Sequence, residues 1–524
     1  MPTRPRARAF DGDPVGNLTP AEVLDNITLT WVTNTGVSSG RLYWENTLGF
    51  FDVKDVKVPT AISVFSRELY QAPPSWAEQA YPNLSTSTKS TKATTSRAGK
   101  SRSSSPRNCA LRSPAANQQR PREVIMSTTA ETATDVRPFQ LEISDDELTE
   151  LRRRVTATRW PSGELVMDRS QGVQLAPLQK LARYWVTDYD WRKAEAKLNA
   201  LPQFTTKIDG VDVHFIHVKS AHVYALPLIM THGWPGSVIE LLEAIGPLTD
   251  PTAHGGDAKD AFDLVLPSLP GYGFSGEPAE LGWNVGRIAQ AWAELMRRLG
   301  YTRYVAQGGD VGAAVTDAIG RQAPEGLLGI HTNLLVTVLA GGPLPSETAE
   351  ERTALDQINT FRTSGSGYFQ EQATRPQTIG YALLDSPVAL AAWLLDHDTD
   401  AYYKISGAFV DGKPSGNLTR DHILDNITLY WLTGTGASAA RSYWENGQAA
   451  AAAQAAGQAP PPVPLPVGFT TFPGEIWRTP RSWVEAGYPN VTYFHEADRG
   501  GHFAAWEEPE LFSEEIRAAF RSLR

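Results

Sequence analysis

Gly308-Gly309-Asp310-Val311-Gly312 lies between Arg303-Tyr304-Val305-Ala306, which reads as a short buried strand, and Ala313 through Arg321 (AAVTDAIGR), which reads as a helix. A chain that passes from strand to helix through so few residues must turn sharply. Glycine adopts the backbone angles such a turn needs, and the turn pushes the side chain at its apex out of the sheet. That side chain is Asp310. One reading is local: Gly-Gly-Asp is an ordinary turn, and the aspartate caps the helix amides. The other is chemical: a carboxylate presented at the apex attacks carbon in a strained ether or a halide, forming an ester that activated water must then release. Short motifs match by chance often enough that the rest of the chain has to decide.

His232-Gly233-Trp234-Pro235-Gly236-Ser237 follows an apolar run, Leu226-Pro227-Leu228-Ile229-Met230. In α/β-hydrolases a strand ending in such a loop, upstream of the nucleophile turn, supplies one amide of the oxyanion hole, and the residue after the nucleophile supplies the other. The amides of Trp234 and Val311 are the candidates. Further on, Arg499-Gly500-Gly501-His502-Phe503 follows a strand-like Val491-Thr492-Tyr493-Phe494. A lone histidine is more often structural than catalytic. His502, however, stands in a glycine loop and completes the order nucleophile, acid, histidine. The acid is Glu475, in Phe472-Pro473-Gly474-Glu475-Ile476; Asp498 is the rival, too close in sequence to His502 to come from a separate strand end.

These motifs resemble those of the microsomal-type epoxide hydrolase family. The resemblance rests on GGDVG, HGWPGS, RGGHFAAWEEPEL and the segment from Gly367-Tyr368-Phe369-Gln370 to Asp385-Ser386-Pro387. It rests as well on an N-terminal signature of Arg137-Pro138-Phe139, Arg159-Trp160-Pro161 and Tyr189-Asp190-Trp191-Arg192. It runs from about Arg137 to the C-terminus, through several separate motifs. It implies an α/β class chain with an α/β-hydrolase fold, a helical lid and an N-terminal wrapping meander. It implies Asp310 as nucleophile, His502 as general base and Glu475 as relay acid. Two lid tyrosines would hold and protonate the epoxide oxygen: Tyr368, in GYFQEQ, and Tyr443, in Arg441-Ser442-Tyr443-Trp444-Glu445-Asn446. The reactants implied are a small hydrophobic epoxide and water, the product a vicinal diol, and the setting xenobiotic detoxification.

The chemistry agrees with that division of roles. Alkoxide is a poor leaving group, so ring opening needs a proton donor facing the attacking carboxylate. A phenol, with a reference pKa of about 10, keeps its proton at neutral pH. Ester hydrolysis then needs a base, an orienting acid and an oxyanion hole. The two tyrosines are among seventeen, and simple packing is the competing account of them. No organic cofactor is called for, and no His/Cys/carboxylate group has metal-ligand spacing. A haloalkane dehalogenase would also use an aspartate but should carry a halide-binding tryptophan after it, where Val311 stands. A non-catalytic binding protein on this fold would be expected to lack Asp310, His502 or Glu475, and all three are present.

With 524 residues the chain can build a large core with added elements, and its formal charge of −10 argues against a nucleic-acid partner. One cysteine, Cys109, excludes an internal disulfide and fits a reducing cytoplasmic setting. No apolar run reaches the ~18–20 residues of a membrane span, and Met1 is followed by Arg-rich sequence without a signal-peptide core, so no membrane anchor is expected. A homodimer is left open.

Residues 11–46 repeat residues 411–446, with roughly two of every three positions identical. Asp25-Asn26-Ile27-Thr28-Leu29 mirrors Asp425-Asn426-Ile427-Thr428-Leu429, and Tyr81-Pro82-Asn83 mirrors Tyr488-Pro489-Asn490. The first copy keeps counterparts of the lid tyrosine (Tyr43) and the acid (Glu68), but has neither nucleophile nor histidine loop. The expected organisation is a non-catalytic partial duplicate (1–84), with a strand that has no sheet to join, followed by a disordered basic linker (85–125). After these come a helical meander (126–205), the first part of the hydrolase core (206–344), a helical lid (345–457) and the second part of the core (458–524). Met126 reads as the ancestral or actual start of the enzyme.

Overall fold

The computed structural model describes residues 19–46, 58–65, 73–81, 83–90, 135–340, 344–396 and 416–524. The chain forms two compact units, Met1–Ser127 and Thr128–Arg524.

In the first unit, Thr19 and Glu22 form a reciprocal capping box that starts the Pro20–Thr33 helix. Neither this helix nor the following Gly36–Glu45 helix buries a residue. Leu24, Ile27, Trp31 and Tyr43 all lie exposed. Their counterparts in the second unit are Leu424, Ile427 and Tyr443, which are buried, and Trp431, which is half-buried. The expectation of an unpaired strand needs correction. Strand β1 (Thr60–Phe65) pairs in parallel with β2 (Leu84–Ser90), so Ser85 to Ser90 form a strand rather than the start of a linker. The pairing Thr60↔Leu84 repeats Val467↔Val491 of the second unit, including the irregularity after the first pair. A duplicated pair of strands carries its register with it. Glu68, Cys109, Met126 and the linker beyond Ser90 lie outside the described residues.

The second unit is built on a nine-stranded sheet. Its strands are β3 (Arg137–Pro138), β4 (Gln203–Ile208), β5 (Val211–Val218), β6 (Leu226–Thr231), β7 (Phe262–Pro267), β8 (Tyr304–Gly308), β9 (Leu327–Thr332), β10 (Val467–Thr471) and β11 (Val491–Glu496). Their order is β11-β10-β9-β8-β6-β7-β5-β4-β3. The strands from β11 to β7 run parallel, and β5, β4 and β3 extend the sheet antiparallel. β4 and β5 are joined by Asp209-Gly210, both at positive φ (47° and 83°), as a two-residue hairpin requires. Arg137-Pro138, read from sequence as part of a helical meander, instead forms the edge strand. Proline, lacking an N–H, is tolerated there because an edge strand has one unpaired side.

Central strands such as β6 and β8 are nearly all buried, which is why they read as apolar runs rather than alternating ones. Ile288, Trp292 and Leu295 seat the Val285–Arg298 helix, and Gly300 follows at φ 80°. The meander helices Asp145–Thr156, Leu175–Thr187 and Trp191–Asn199 lie between β3 and β4 in the chain. They grip the lid by hydrogen bonds to one of its helices, Arg420–Thr433. Tyr184 Oη donates to Asp421 (2.6 Å), Tyr189 Oη to Asp425 (2.7 Å) and Trp185 Nε1 to Thr428 (3.0 Å). The lid comprises Ala349–Thr360, Gly367–Thr374, Pro376–Asp385, Pro387–Leu395, Arg420–Thr433 and Gly436–Ala455.

The chain leaves β6 toward β7 on one side and returns to place β8 on the other side of β6. The crevice at the carboxyl ends of β6 and β8 is therefore the switch point at which open α/β sheets bind ligands. Asp310 and Trp234 both stand there.

Candidate active site

Asp310 follows β8 directly and holds φ 51°, ψ −124°, a conformation side chains other than glycine seldom adopt. Its neighbours explain how the turn fits. A Cβ on Gly308 would come within 2.2 Å of Gly312 O, and one on Gly312 within 1.9 Å of Thr231 O. The Val311–Gln322 helix thus packs backbone to backbone against the end of β6. Asp310 occupies the N-cap position of that helix, yet its side chain makes no capping hydrogen bond. The capping account of Asp310 fails on this point. Its Oδ1 instead accepts from the Trp234 amide at 2.8 Å.

Of the two expected oxyanion-hole amides, that of Trp234 bonds this carboxylate and that of Val311 helps to hold its pKa down. Gly233 is needed for this approach, since a Cβ there would fall 2.3 Å from Asp310 Oδ1. The loop is held from both sides. His232 is fully buried; its Nδ1 donates to Gly233 O (2.9 Å), and its Nε2 accepts from the Leu269 amide (3.1 Å). Burial lowers its pKa to about 4, so it is a neutral strut. From the lid, Asn426 Nδ2 donates to Pro235 O (2.7 Å) and Tyr430 Oη to Gly236 O (2.6 Å).

His502 Nε2 lies 3.3 Å from Asp310 Oδ2, and His502 Nδ1 hydrogen-bonds Glu475 Oε1. Glu475 Oε1 also accepts from the Ile476 amide at 2.9 Å. The loops bearing Glu475 and His502 are tied by a parallel bridge between Gly474 and Gly501, with Gly474 N donating to Gly500 O at 3.0 Å. Asp498, the alternative acid, is exposed and pairs with Arg499 at 3.1 Å, away from His502. Burial alone would raise Asp310, but His502 and the two amides outweigh it and hold the carboxylate below its ordinary value. Burial likewise pulls His502 down, but the carboxylates of Glu475 and Asp310 carry it well above the usual imidazole value.

Tyr368 and Tyr443 come together on the lid, their rings edge to face with centroids 6.4 Å apart and both largely buried. Burial, then the Asp310 carboxylate, then Tyr368, push Tyr443 well above the ordinary phenol value. Tyr443 thus keeps its proton and lies within the electrostatic influence of Asp310. Sequence reasoning passed over several residues of this region. Tyr272, in the loop after β7, bonds Ser442 and donates to Ala439 O at 3.2 Å, bracing the lid helix that carries Tyr443. Asn426 and Tyr430 were visible only as part of a repeat, and Glu240 carried no signal at all. Among the described residues, no three His, Cys, Asp or Glu side chains cluster so as to hold a metal ion. Nor is any helix among them long and apolar enough to cross a membrane.

Sheet order, turn and loop geometry define an α/β-hydrolase. A family model described as "Epoxide hydrolase N terminus" matches residues 136–241, the meander through the oxyanion loop. A Stigmatella aurantiaca (strain DW4/3-1) protein named "Putative epoxide hydrolase" is 53% identical over 391 residues, covering 74% of this chain and 86% of that protein. Epoxide hydrolase 1 of Sus scrofa is 36% identical over 401 residues, covering 73% and 88% respectively. The crystal structure of juvenile hormone epoxide hydrolase from the silkworm Bombyx mori matches with a TM-score of 0.65 at 30% identity, over 74% of this chain and 96% of that one. The Aspergillus niger epoxide hydrolase structure matches with a TM-score of 0.64 at 29% identity, over 75% and 97%. The chain belongs to the epoxide hydrolase family of the α/β-hydrolase superfamily.

Proposed function

We propose that the protein hydrolyses a small hydrophobic epoxide to a vicinal diol through an ester on Asp310. The observation that carries this reading is the split environment of the Asp310 carboxylate. Oδ1 accepts from the Trp234 amide, whereas Oδ2 faces His502 Nε2 at 3.3 Å. Oδ2 attacks a ring carbon, and the breaking C–O bond leaves its electron pair on the ring oxygen. Tyr368 and Tyr443 donate hydrogen bonds to that oxygen and protonate it. The phenol is restored at the expense of the His502 proton, so the ester forms beside a neutral imidazole.

Ester formation cancels the charge on Asp310, one of the two carboxylates that hold His502 high. The imidazole is then a free base. It takes a proton from water as the water oxygen bonds the ester carbon, while Glu475 keeps the ring oriented. Oδ1, now the ester carbonyl oxygen, takes the negative charge where the Trp234 and Val311 amides point. Collapse breaks the bond to the alkyl oxygen, which takes the proton of the new carboxyl. The diol departs, leaving carboxylate and imidazolium as at the start. The cycle consumes one water and one epoxide and needs no outside proton.

One turnover in H₂¹⁸O with enzyme in excess tests this account. The label is expected in Asp310 and absent from the diol, because the diol carries the former Oδ2. Label in the first-turnover diol means direct attack by water and overturns the ester.

A further inference from the structure

Beside Asp310 lies a polar recess that the steps above do not use. It is a cavity of about 20 Å³ whose lining includes Glu240, Gln307, Asp310, Asn333 and His502. Glu240 belongs to the helical turn Val238–Ala244 that follows the HGWPGS loop. Its carboxyl folds back into the notch left by Gly236: a Cβ at 236 would meet Glu240 Oε2 at 1.5 Å. Any side chain at 236 would displace it. Oε2 is shielded from solvent and has no hydrogen-bond partner in the protein, and the same holds for Gln307 Oε1. Burial, then the neighbouring Asp310 carboxylate, push Glu240 up to about 8.

A buried polar atom without a partner is costly, and a cavity of more than ~10–15 Å³ accommodates one water when two to four polar groups can bond it. This recess has the size of a water and is too small for an epoxide. It adjoins His502, which must activate a water, and Asp310, which that water must attack. We infer that Glu240, together with Gln307, binds and orients the water that hydrolyses the Asp310 ester. The inference rests on the ester reading above. A protonated Glu240 can donate to that water or accept from it. It therefore fixes the lone pair toward Asp310 while the His502 nitrogen takes the proton. Gly236 and Glu240 then form one device: the glycine is small so that the carboxyl can reach the recess.

The test uses the full chain with Glu240→Gln and Glu240→Leu, and styrene oxide as probe. Stopped-flow measurement separates alkylation from ester hydrolysis, and intact mass follows the alkyl-enzyme. Alkylation is expected within about twofold of wild type, while Glu240→Leu slows ester hydrolysis by about tenfold or more, as for a lost hydrogen bond to a polar partner. Glu240→Gln, which keeps one donor and one acceptor, falls between, and alkyl-enzyme accumulates in both. A purely structural role would slow both steps together. Wild-type ester hydrolysis in the variants, or equal loss in both steps, overturns the inference. If Glu240→Leu fails to fold, the two rates of Glu240→Gln decide alone. His502→Gln run alongside guards the parent reading: if it traps no alkyl-enzyme the ester mechanism itself has failed, and if it does, any failure belongs to Glu240.

Discussion

Replacing Gly312 by alanine should cost more activity than stability, and the magnitude follows from three distances. The new Cβ would stand 1.9 Å from Thr231 O, 2.7 Å from Thr231 C and 2.9 Å from His232 O. All three are backbone atoms at the end of β6, so no flexible side chain can swing away. Relief requires the Val311–Gln322 helix to lift off β6 by more than roughly 1 Å, given normal contacts of about 3.5 Å. Overpacking of this kind costs about 1–3 kcal/mol. Alanine returns roughly 1 kcal/mol through its helix propensity. The net destabilisation is thus about 2 kcal/mol at the upper end of the range. The same shift carries Asp310 and the Val311 amide away from the Trp234 amide, and a 1 Å misplacement of reacting groups costs roughly 100-fold in rate. Urea melts and steady-state diol formation give the two numbers. Gly163→Ala, where the nearest atom to the new Cβ is 3.8 Å away, controls for the substitution itself. A Gly312→Ala enzyme with wild-type turnover and an unchanged melt would refute the view that helix-to-strand contact sets the position of Asp310.

Other consequences are open to direct test. Tyr368→Phe and Tyr443→Phe should each slow alkylation by about tenfold or more and leave ester hydrolysis unchanged, with the double variant far slower than either; a double variant alkylating at wild-type rate removes both from the mechanism. Because His502 is held above its ordinary value, against its burial, by Glu475 and Asp310, its contribution to stability is full below an unfolded value of about 6.5 and fades as pH rises through the folded one. Removing one of those carboxylates by Asp310→Asn should therefore give a stability deficit that is largest near neutral-to-acid pH and shrinks in alkali; a deficit growing with pH contradicts the charge assignment. A chain starting at Met126 should match the full chain in turnover and in size-exclusion mass, because every proposed site residue follows it; an insoluble or inactive truncation would mean that the first unit takes part.

The parts of the site that could be read from sequence are those whose reason is local or ordinal. Asp310 stands out because the glycines around it answer to a close approach two residues away, which leaves a mark in the sequence itself. His502 and Glu475 are found through their order along the chain and their glycine-rich loops. Asn426, Tyr430, Tyr272 and Glu240 escaped for the opposite reason. Asn426 and Tyr430 bond carbonyls 191 and 194 residues away, Tyr272 one 167 residues away, and no spacing rule links such partners. Glu240 read as one more acidic residue because its meaning depends on the missing Cβ of Gly236.

The duplication separates these two kinds of information within one molecule. Tyr43 and Tyr443 sit in the same Tyr-Trp-Glu-Asn tetrapeptide and both lie in helices, since helix formation is a local property. Tyr443 is 8% exposed and Tyr43 80%. Local sequence therefore made the helix twice, whereas the burial of Tyr443 and its pairing with Tyr368 come from other parts of the second unit. The copies also diverge where the lid grips the oxyanion loop: Thr30 stands where Tyr430 donates to Gly236 O. The retained Asn26, by contrast, shows that a matching residue alone cannot identify a working site. What marks Tyr443 as a candidate acid is its burial, its ring contact with Tyr368 and the charge of Asp310, which together hold its phenol well above the ordinary value.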